Sequence, residues 1–206
     1  MKKNKKFSFF IFDLDGVIFD SKKNMMFSWK ETCKKFYLKI GFSSYFKRIG
    51  LPFNKILISL GIDPKKEIFE TYKKASIKNM KFIKKYEGVT EILRVLKNKK
   101  IKFSIVTSKD LKRSKYLLNK YNIKPASIHC PNIKLRGKPY PDQILSSLKK
   151  NNIKPKNACY VGDTEFDYLA SKRAKIEFIF AKYGYGIDKK YYKNKIKNIK
   201  DLKKFL

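Results

Sequence analysis

Phe9-Phe10-Ile11-Phe12-Asp13-Leu14-Asp15-Gly16-Val17 is an unbroken apolar, aromatic-rich run that ends in two carboxylates one residue apart. The run has the length and composition of a buried strand, and Gly16 frees the backbone just after it. Such a strand would deliver Asp13 and Asp15 to the carboxyl edge of an open α/β sheet, which is where ligands bind. Taken alone, an Asp-x-Asp after a strand reads as a polar turn. The weight comes from three later stretches.

Ile101 to Val106 reads as a second strand, ending in Thr107-Ser108 with Asp110 opening the next helix. A hydroxyl and unpaired backbone N–H groups between strand and helix suit a phosphate oxygen, although Thr107 also reads as a simple helix cap. In Gly137-Lys138-Pro139-Tyr140-Pro141-Asp142 a lysine is held by a stiff backbone. This sets Lys138 apart from the solvated charge that is the default for a lysine here. Ala158-Cys159-Tyr160-Val161 is a further strand that runs into Gly162-Asp163-Thr164-Glu165-Phe166-Asp167. Asp163 and Asp167, four apart at the start of a helix, can face one site. Glu165 reads as solvent-facing.

These four stretches resemble the four ordered motifs of the haloacid dehalogenase superfamily, in the family's order and over nearly the whole chain. The resemblance implies an α/β fold, a Rossmann-like parallel sheet core with a small inserted α-helical cap. Residues 1–17 and 86–206 would form the core and residues 18–85 the cap. It implies Asp13 as nucleophile, Asp15 as acid and base, and Lys138 as the cation that offsets charge. Thr107 would touch the phosphoryl group. Ser108 stands where relatives commonly carry Asn, so its role stays open. Mg2+ would be held by Asp13, the backbone carbonyl of Asp15, and Asp163, with Asp167 in or near that shell; hard oxygen ligands suit the ion. Dehalogenases of the superfamily lack an acid at the Asp15 position, so the chain reads as a phosphoryl-transfer enzyme.

Between Ile18 and Lys85 the strand signals give way to apolar residues at helical spacing, broken at Gly41, Gly50-Leu51-Pro52 and Gly61-Ile62-Asp63-Pro64. Within this insert Arg48-Ile49-Gly50-Leu51-Pro52 resembles the cap segment of phosphoglycolate phosphatase-like and β-phosphoglucomutase-like members. Arg48 reads either as a contact to a carboxylate or hydroxyl of the leaving group or as a solvated arginine. Trp29 reads as cap core. His129, the sole histidine, falls outside every motif and reads as structural.

The 206 residues carry 51 lysines and arginines against 17 acids, a formal net charge of +34. Such charge points first to polyanions or to steering of anionic substrates. The bases are overwhelmingly lysine and spread along the chain, whereas arginine is the better phosphate reader. The charge therefore reads as compositional bias, and nucleic acid is discounted. With 43% hydrophobic residues the chain can bury a core. Three cysteines without a Cys-x-x-Cys pair fit a reducing compartment. The basic start at Met1 leads to an apolar run too short for a signal peptide or a membrane span. The expectation is a soluble cytoplasmic enzyme with a small phosphorylated metabolite as partner and no membrane; no feature speaks to oligomeric state. The resemblance implies a phosphatase acting on phosphoglycolate or a sugar phosphate through an aspartyl-phosphate. A β-phosphoglucomutase-type phosphomutase is the runner-up, and a non-catalytic or nucleic-acid-binding protein the third reading.

Overall fold

The computed structural model describes residues 6–132 and 134–206; the basic start Met1–Lys5 lies outside them. After β1 (Phe9–Phe12), a short β2 (Phe19–Asp20) leads into four helices, α1 (Lys22–Lys35), α2 (Phe42–Phe46), α3 (Phe53–Ser59) and α4 (Lys66–Lys78). The chain returns through β3 (Lys84–Lys85). Helix and strand then alternate through α5 (Val89–Asn98), β4 (Lys102–Val106), α6 (Leu111–Lys120), β5 (Ser127–His129) and α7 (Asp142–Lys150). The last elements are β6 (Ala158–Gly162), α8 (Glu165–Arg173), β7 (Glu177–Ala181), β8 (Asn194–Ile196) and a 3₁₀ segment, Ile199–Phe205.

Six strands form one parallel sheet in the order β5-β4-β1-β6-β7-β8. From β1 the chain walks outward through β4 and β5, then crosses back to β6 and continues the other way. The order therefore reverses between β1 and β6, the switch point where doubly wound sheets open a crevice. Register fixes what reaches it. Phe12 lies opposite Ile105 on β4 and Val161 on β6, so Asp13, Thr107 and Asp163 leave adjacent strands at the same edge.

Side chains alternate across β1, as strand geometry requires. Phe10 and Phe12 pack with Val89, Ile92 and Leu96 of α5 and Leu117 and Leu118 of α6. Phe9 and Ile11 pack with Ile144 and Leu148 of α7 and Ala170 of α8. All four β1 side chains are fully buried, each stabilising the fold by about 1.5–3 kcal/mol before entropy is counted.

The helices between β2 and β3 enclose a cluster of their own, including Met25, Trp29, Tyr45, Ile49, Ile56, Leu57 and Tyr72. Trp29 stacks on Tyr45 at 4.6 Å and its indole N–H donates to Ile40 O at 3.0 Å. Asn24 of α1 and Ser76 of α4 exchange two hydrogen bonds, Asn24 Nδ2 to Ser76 O at 2.8 Å and Ser76 Oγ to Asn24 Oδ1 at 3.0 Å. Both crossings into this helical segment are paired: Phe19 lies opposite Lys85 and Asp20 opposite Lys84 in an antiparallel ribbon.

Three features differ from the sequence reading. The ribbon β2/β3 was not expected, because two-residue strands carry no readable period. Strand β8 was hidden by lysines, since only Ile196 of Asn194-Lys195-Ile196 is buried. The lysine-rich C-terminal end forms a 3₁₀ segment whose Ile199, Leu202 and Phe205 face the core. Among the described residues no helix is long and apolar enough to cross a membrane.

Candidate active site

Lys138 is the centre of the site. Its side chain is 1% exposed, and its ammonium lies 2.9 Å from Asp13 Oδ2, 2.6 Å from Asp167 Oδ1 and 3.3 Å from the Tyr160 hydroxyl. Burial works against the ammonium, but Asp13 and Asp167 more than offset it, and its pKa lies above the usual lysine value. Asp13 responds in the opposite sense to what one ion pair would suggest. Burial, with Asp167 and Asp15 adding to it against the pull of Lys138, pushes its carboxyl up to about 7.

Asp163 sits at the end of β6 and is fully buried; burial first, then Asp167 and Asp13, raises its pKa well above the carboxylate range. Each of Asp13, Asp163 and Asp167 offers a carboxylate oxygen, and these lie within 4.8 Å of one another. Asp13 Oδ1 and Asp163 Oδ1 are buried without a hydrogen-bond partner. Asp167 is different. Its Oδ1 accepts from Lys138 and, at 2.9 Å, from Tyr160; its Oδ2 accepts from Asp163 N at 3.2 Å, Thr164 N at 2.9 Å and Thr164 Oγ1 at 2.7 Å. Thr164 in turn accepts from Asp167 N, so the pair forms the capping box that starts α8.

Asp15 points away from this triad. Its Oδ1 accepts from Ser21 Oγ at 2.5 Å and its Oδ2 lies 3.1 Å from Lys109 Nζ. Thr107 is buried, its N–H donating to His129 O at 3.1 Å and its carbonyl accepting from Gln143 Nε2 at 3.2 Å. Ser108 Oγ donates to Gly50 O at 2.6 Å, a tie between the sheet edge and the helical segment.

Asp13, Asp15, Thr107, Ser108, Lys109, Arg113 and Lys138 share one small cavity of about 60 Å³ with side chains of the helical segment, Met25, Tyr45, Ile56 and Tyr72 among them. Arg48 is not brought to it. Its Nη1 donates to Ser44 O, 2.7 Å away, in keeping with the second of its two readings, an arginine tied to its own turn. His129 bonds Ser127 Oγ at 3.0 Å within β5, and Glu165 is exposed.

Four contributors were not found in the sequence. Lys109 follows Thr107-Ser108 directly but is one lysine among many. Arg113 lies one helical turn beyond Asp110, whose carboxylate caps α6 and pairs with it. Tyr160 is the inward residue of an apolar strand, its hydroxyl also donating to Val106 O at 3.0 Å. The fourth is the loop Tyr183-Gly184-Tyr185-Gly186. In the structure it clasps Asp163: Tyr185 N–H donates to Asp163 Oδ2 at 2.7 Å, and a Cβ on Gly186 would stand 1.9 Å from the Asp163 carbonyl oxygen.

Comparisons with known proteins give the chain its family. The profile of the haloacid dehalogenase-like hydrolases covers residues 10–181. The chain belongs to that family. It is 29% identical to a phosphoglycolate phosphatase of Aquifex aeolicus over 85% of this chain and 84% of that protein. It is 26% identical to the pyrophosphatase PpaX of Halalkalibacterium halodurans, covering 86% and 83%. A crystal structure of a hydrolase from Pseudomonas syringae superposes with a TM-score of 0.82 at 25% identity, covering 94% of each chain. The family is one of hydrolases, and these curated relatives are named for phosphatase and pyrophosphatase activity.

Proposed function

We propose that the chain hydrolyses a small phosphomonoester, phosphoglycolate or a small sugar phosphate, in a Mg2+-dependent reaction through an aspartyl-phosphate on Asp13. The observation that carries this reading is the buried Lys138 ammonium between Asp13 and Asp167, beside two carboxylate oxygens that have no partner. Buried carboxylates left uncompensated are costly, so the site is short of positive charge. Hard oxygen donors suit Mg2+. The side chains of Asp13 and Asp163 would hold the ion, with the backbone carbonyl of Asp15 as third protein ligand by family likeness. Asp167, with both oxygens engaged, would act on Lys138 and on the Asp163 loop. A bound Mg2+ supplies charge that screens carboxylate from phosphoryl oxygens.

The protein's own groups do the rest. Asp13 attacks phosphorus in line, forming a carboxyl oxygen–phosphorus bond as the bond to the ester oxygen breaks. Lys138 offsets the negative charge gathered between nucleophile and phosphoryl group. Thr107 and the N–H groups beyond it receive phosphoryl oxygens. Asp15, at the cavity wall beside Lys109 and Ser21, gives a proton to the leaving oxygen, then takes one from the water that attacks phosphorus. Such acid–base help contributes about 10²–10⁴-fold. Residues 18–85 act as a cap on the core formed by residues 1–17 and 86–206, and a dry, closed site strengthens each of these contacts. The cavity between the core and the helical segment is small, in keeping with a phosphoryl group on a small leaving group. The reading places the reaction in the cytoplasm, in keeping with three cysteines of which none is bridged.

Phosphate release from a panel of phosphomonoesters, with and without Mg2+, tests the reading. Mg2+-dependent release that favours small esters and vanishes in Asp13→Asn supports it. Isomerised ester without free phosphate would assign the mutase instead, and release undiminished in Asp13→Asn would overturn the mechanism.

A further inference from the structure

Arg48 donates to Ser44 O, and no residue assigned above reads the leaving group beyond its ester oxygen. The structure offers another arginine. Arg113 reaches the cavity from α6, on the core side, and is only 7% exposed. Its Nε pairs with Asp110, its Nη1 donates to Ser76 Oγ of α4 at 2.7 Å, and its guanidinium lies 5.8 Å from the ring centre of Tyr72. Three different contacts thus hold one end of a planar fork. Among the described residues Nη2 carries no hydrogen bond.

The neighbouring wall is also a donor. Tyr45 and Tyr72 both line the cavity and their hydroxyls meet at 2.7 Å. One phenolic proton is used in that bond, and among the described residues the other has no acceptor. With Lys109 beside them, the cavity wall away from Asp13 presents an unused N–H and an unused O–H and asks for an acceptor. A carboxylate matches this best, because one of its oxygens can accept from Arg113 Nη2 and the other from the tyrosine hydroxyl.

We infer that Arg113 is the specificity-determining residue for the leaving group, and that with Tyr45 and Tyr72 it selects phosphomonoesters whose leaving group ends in a carboxylate. This rests on the phosphatase reading for its setting, but binding tests it independently of turnover. A polar site left without its ligand's oxygen discriminates strongly against the analogue lacking it.

Two compounds of one size separate the cases: phosphoglycolate, and 2-hydroxyethyl phosphate, in which a neutral hydroxymethyl group replaces the carboxylate. Two variants guard against misfolding: Arg113→Lys keeps the charge beside Asp110, and the double variant Asp110→Asn, Arg113→Met removes both charges together. Each is measured for kcat and KM, and each is combined with Asp13→Asn for calorimetric binding. In the wild type kcat/KM favours phosphoglycolate. In both variants phosphoglycolate loses about tenfold or more, chiefly in KM and in binding, while 2-hydroxyethyl phosphate changes by less than about threefold. Equal losses on both compounds, or no preference in the wild type, would overturn the inference and leave Arg113 a purely structural tie. Binding that depends on Arg113 without any turnover would uphold it and sink the phosphatase reading. Turnover indifferent to Arg113 would do the reverse, and neither binding nor turnover of either compound would sink both.

Discussion

Lys138 and Asp167 form a fully buried ion pair, Nζ to Oδ1 at 2.6 Å, with the two side chains 1% and 0% exposed. The same ammonium reaches Asp13 at 2.9 Å, so one lysine holds the nucleophile and the helix-capping carboxylate together. Removing one partner of a buried pair costs about 3–5 kcal/mol because the other is left uncompensated. Lys138→Met is therefore expected to lose about that much stability in urea unfolding, together with all phosphate release. Adding Asp167→Asn to Lys138→Met should recover part of the stability and none of the activity.

Asp13, Asp163 and Asp167 crowd three carboxylates into one buried space with only Lys138 as counter-charge. Asp163→Asn relieves that repulsion, so the metal-free variant should melt higher than the metal-free wild type. Mg2+ should raise the melting temperature of the wild type; at a concentration about 100 times its Kd the gain is about 2.7 kcal/mol. The variant should show little of this gain and no turnover, by differential scanning calorimetry and phosphate assay. A wild type indifferent to Mg2+ would contradict the metal assignment.

Gly16 has φ +87°, and a Cβ there would stand 2.1 Å from Asp163 Oδ2. Gly16→Ala meets both a strained backbone and a collision with a site carboxylate. Strain of this kind costs about 1–3 kcal/mol. The variant should unfold at lower urea and lose a larger share of activity than of stability, because Asp163 must move aside.

His129 is buried in β5, and burial, with Lys150 adding to it, holds its imidazole below the usual pKa. The folded state thus binds its proton less readily than the unfolded chain. The stability this contributes is complete above the unfolded pKa of about 6.5 and is lost as the pH falls from there through the folded value. Between pH 7 and 5 the wild type should lose more unfolding free energy than His129→Gln does. Specific activity at pH 7 should be the same in the two.

Much of this site was legible because strand-end acids announce themselves. Phe9–Phe12 and Ala158–Val161 are apolar runs that stop at Asp13 and Asp163, and sheet register brings those ends side by side. Lys138 stood out through its stiff glycine and proline setting. What escaped depends on tertiary placement. Arg113 and Arg48 look alike in sequence, and only the fold shows that one bonds Ser76 of α4 at the cavity while the other bonds its own turn. The family resemblance implies Asp167 in or near the metal shell, and its spacing to Asp163 lets both face one site. That spacing also builds a capping box, which engages both its oxygens. Tyr185 holds Asp163 across 22 residues, a separation no local pattern reports.

The central claim is that Asp13 carries the phosphoryl group. Rapid acid quench of the enzyme during turnover of 32P-labelled substrate tests it most directly. The account predicts protein-bound label that hydroxylamine releases, as an acyl phosphate requires, and that is absent in Asp13→Asn. Steady turnover with no label on the protein at any quench time, or label that persists in Asp13→Asn, would contradict it.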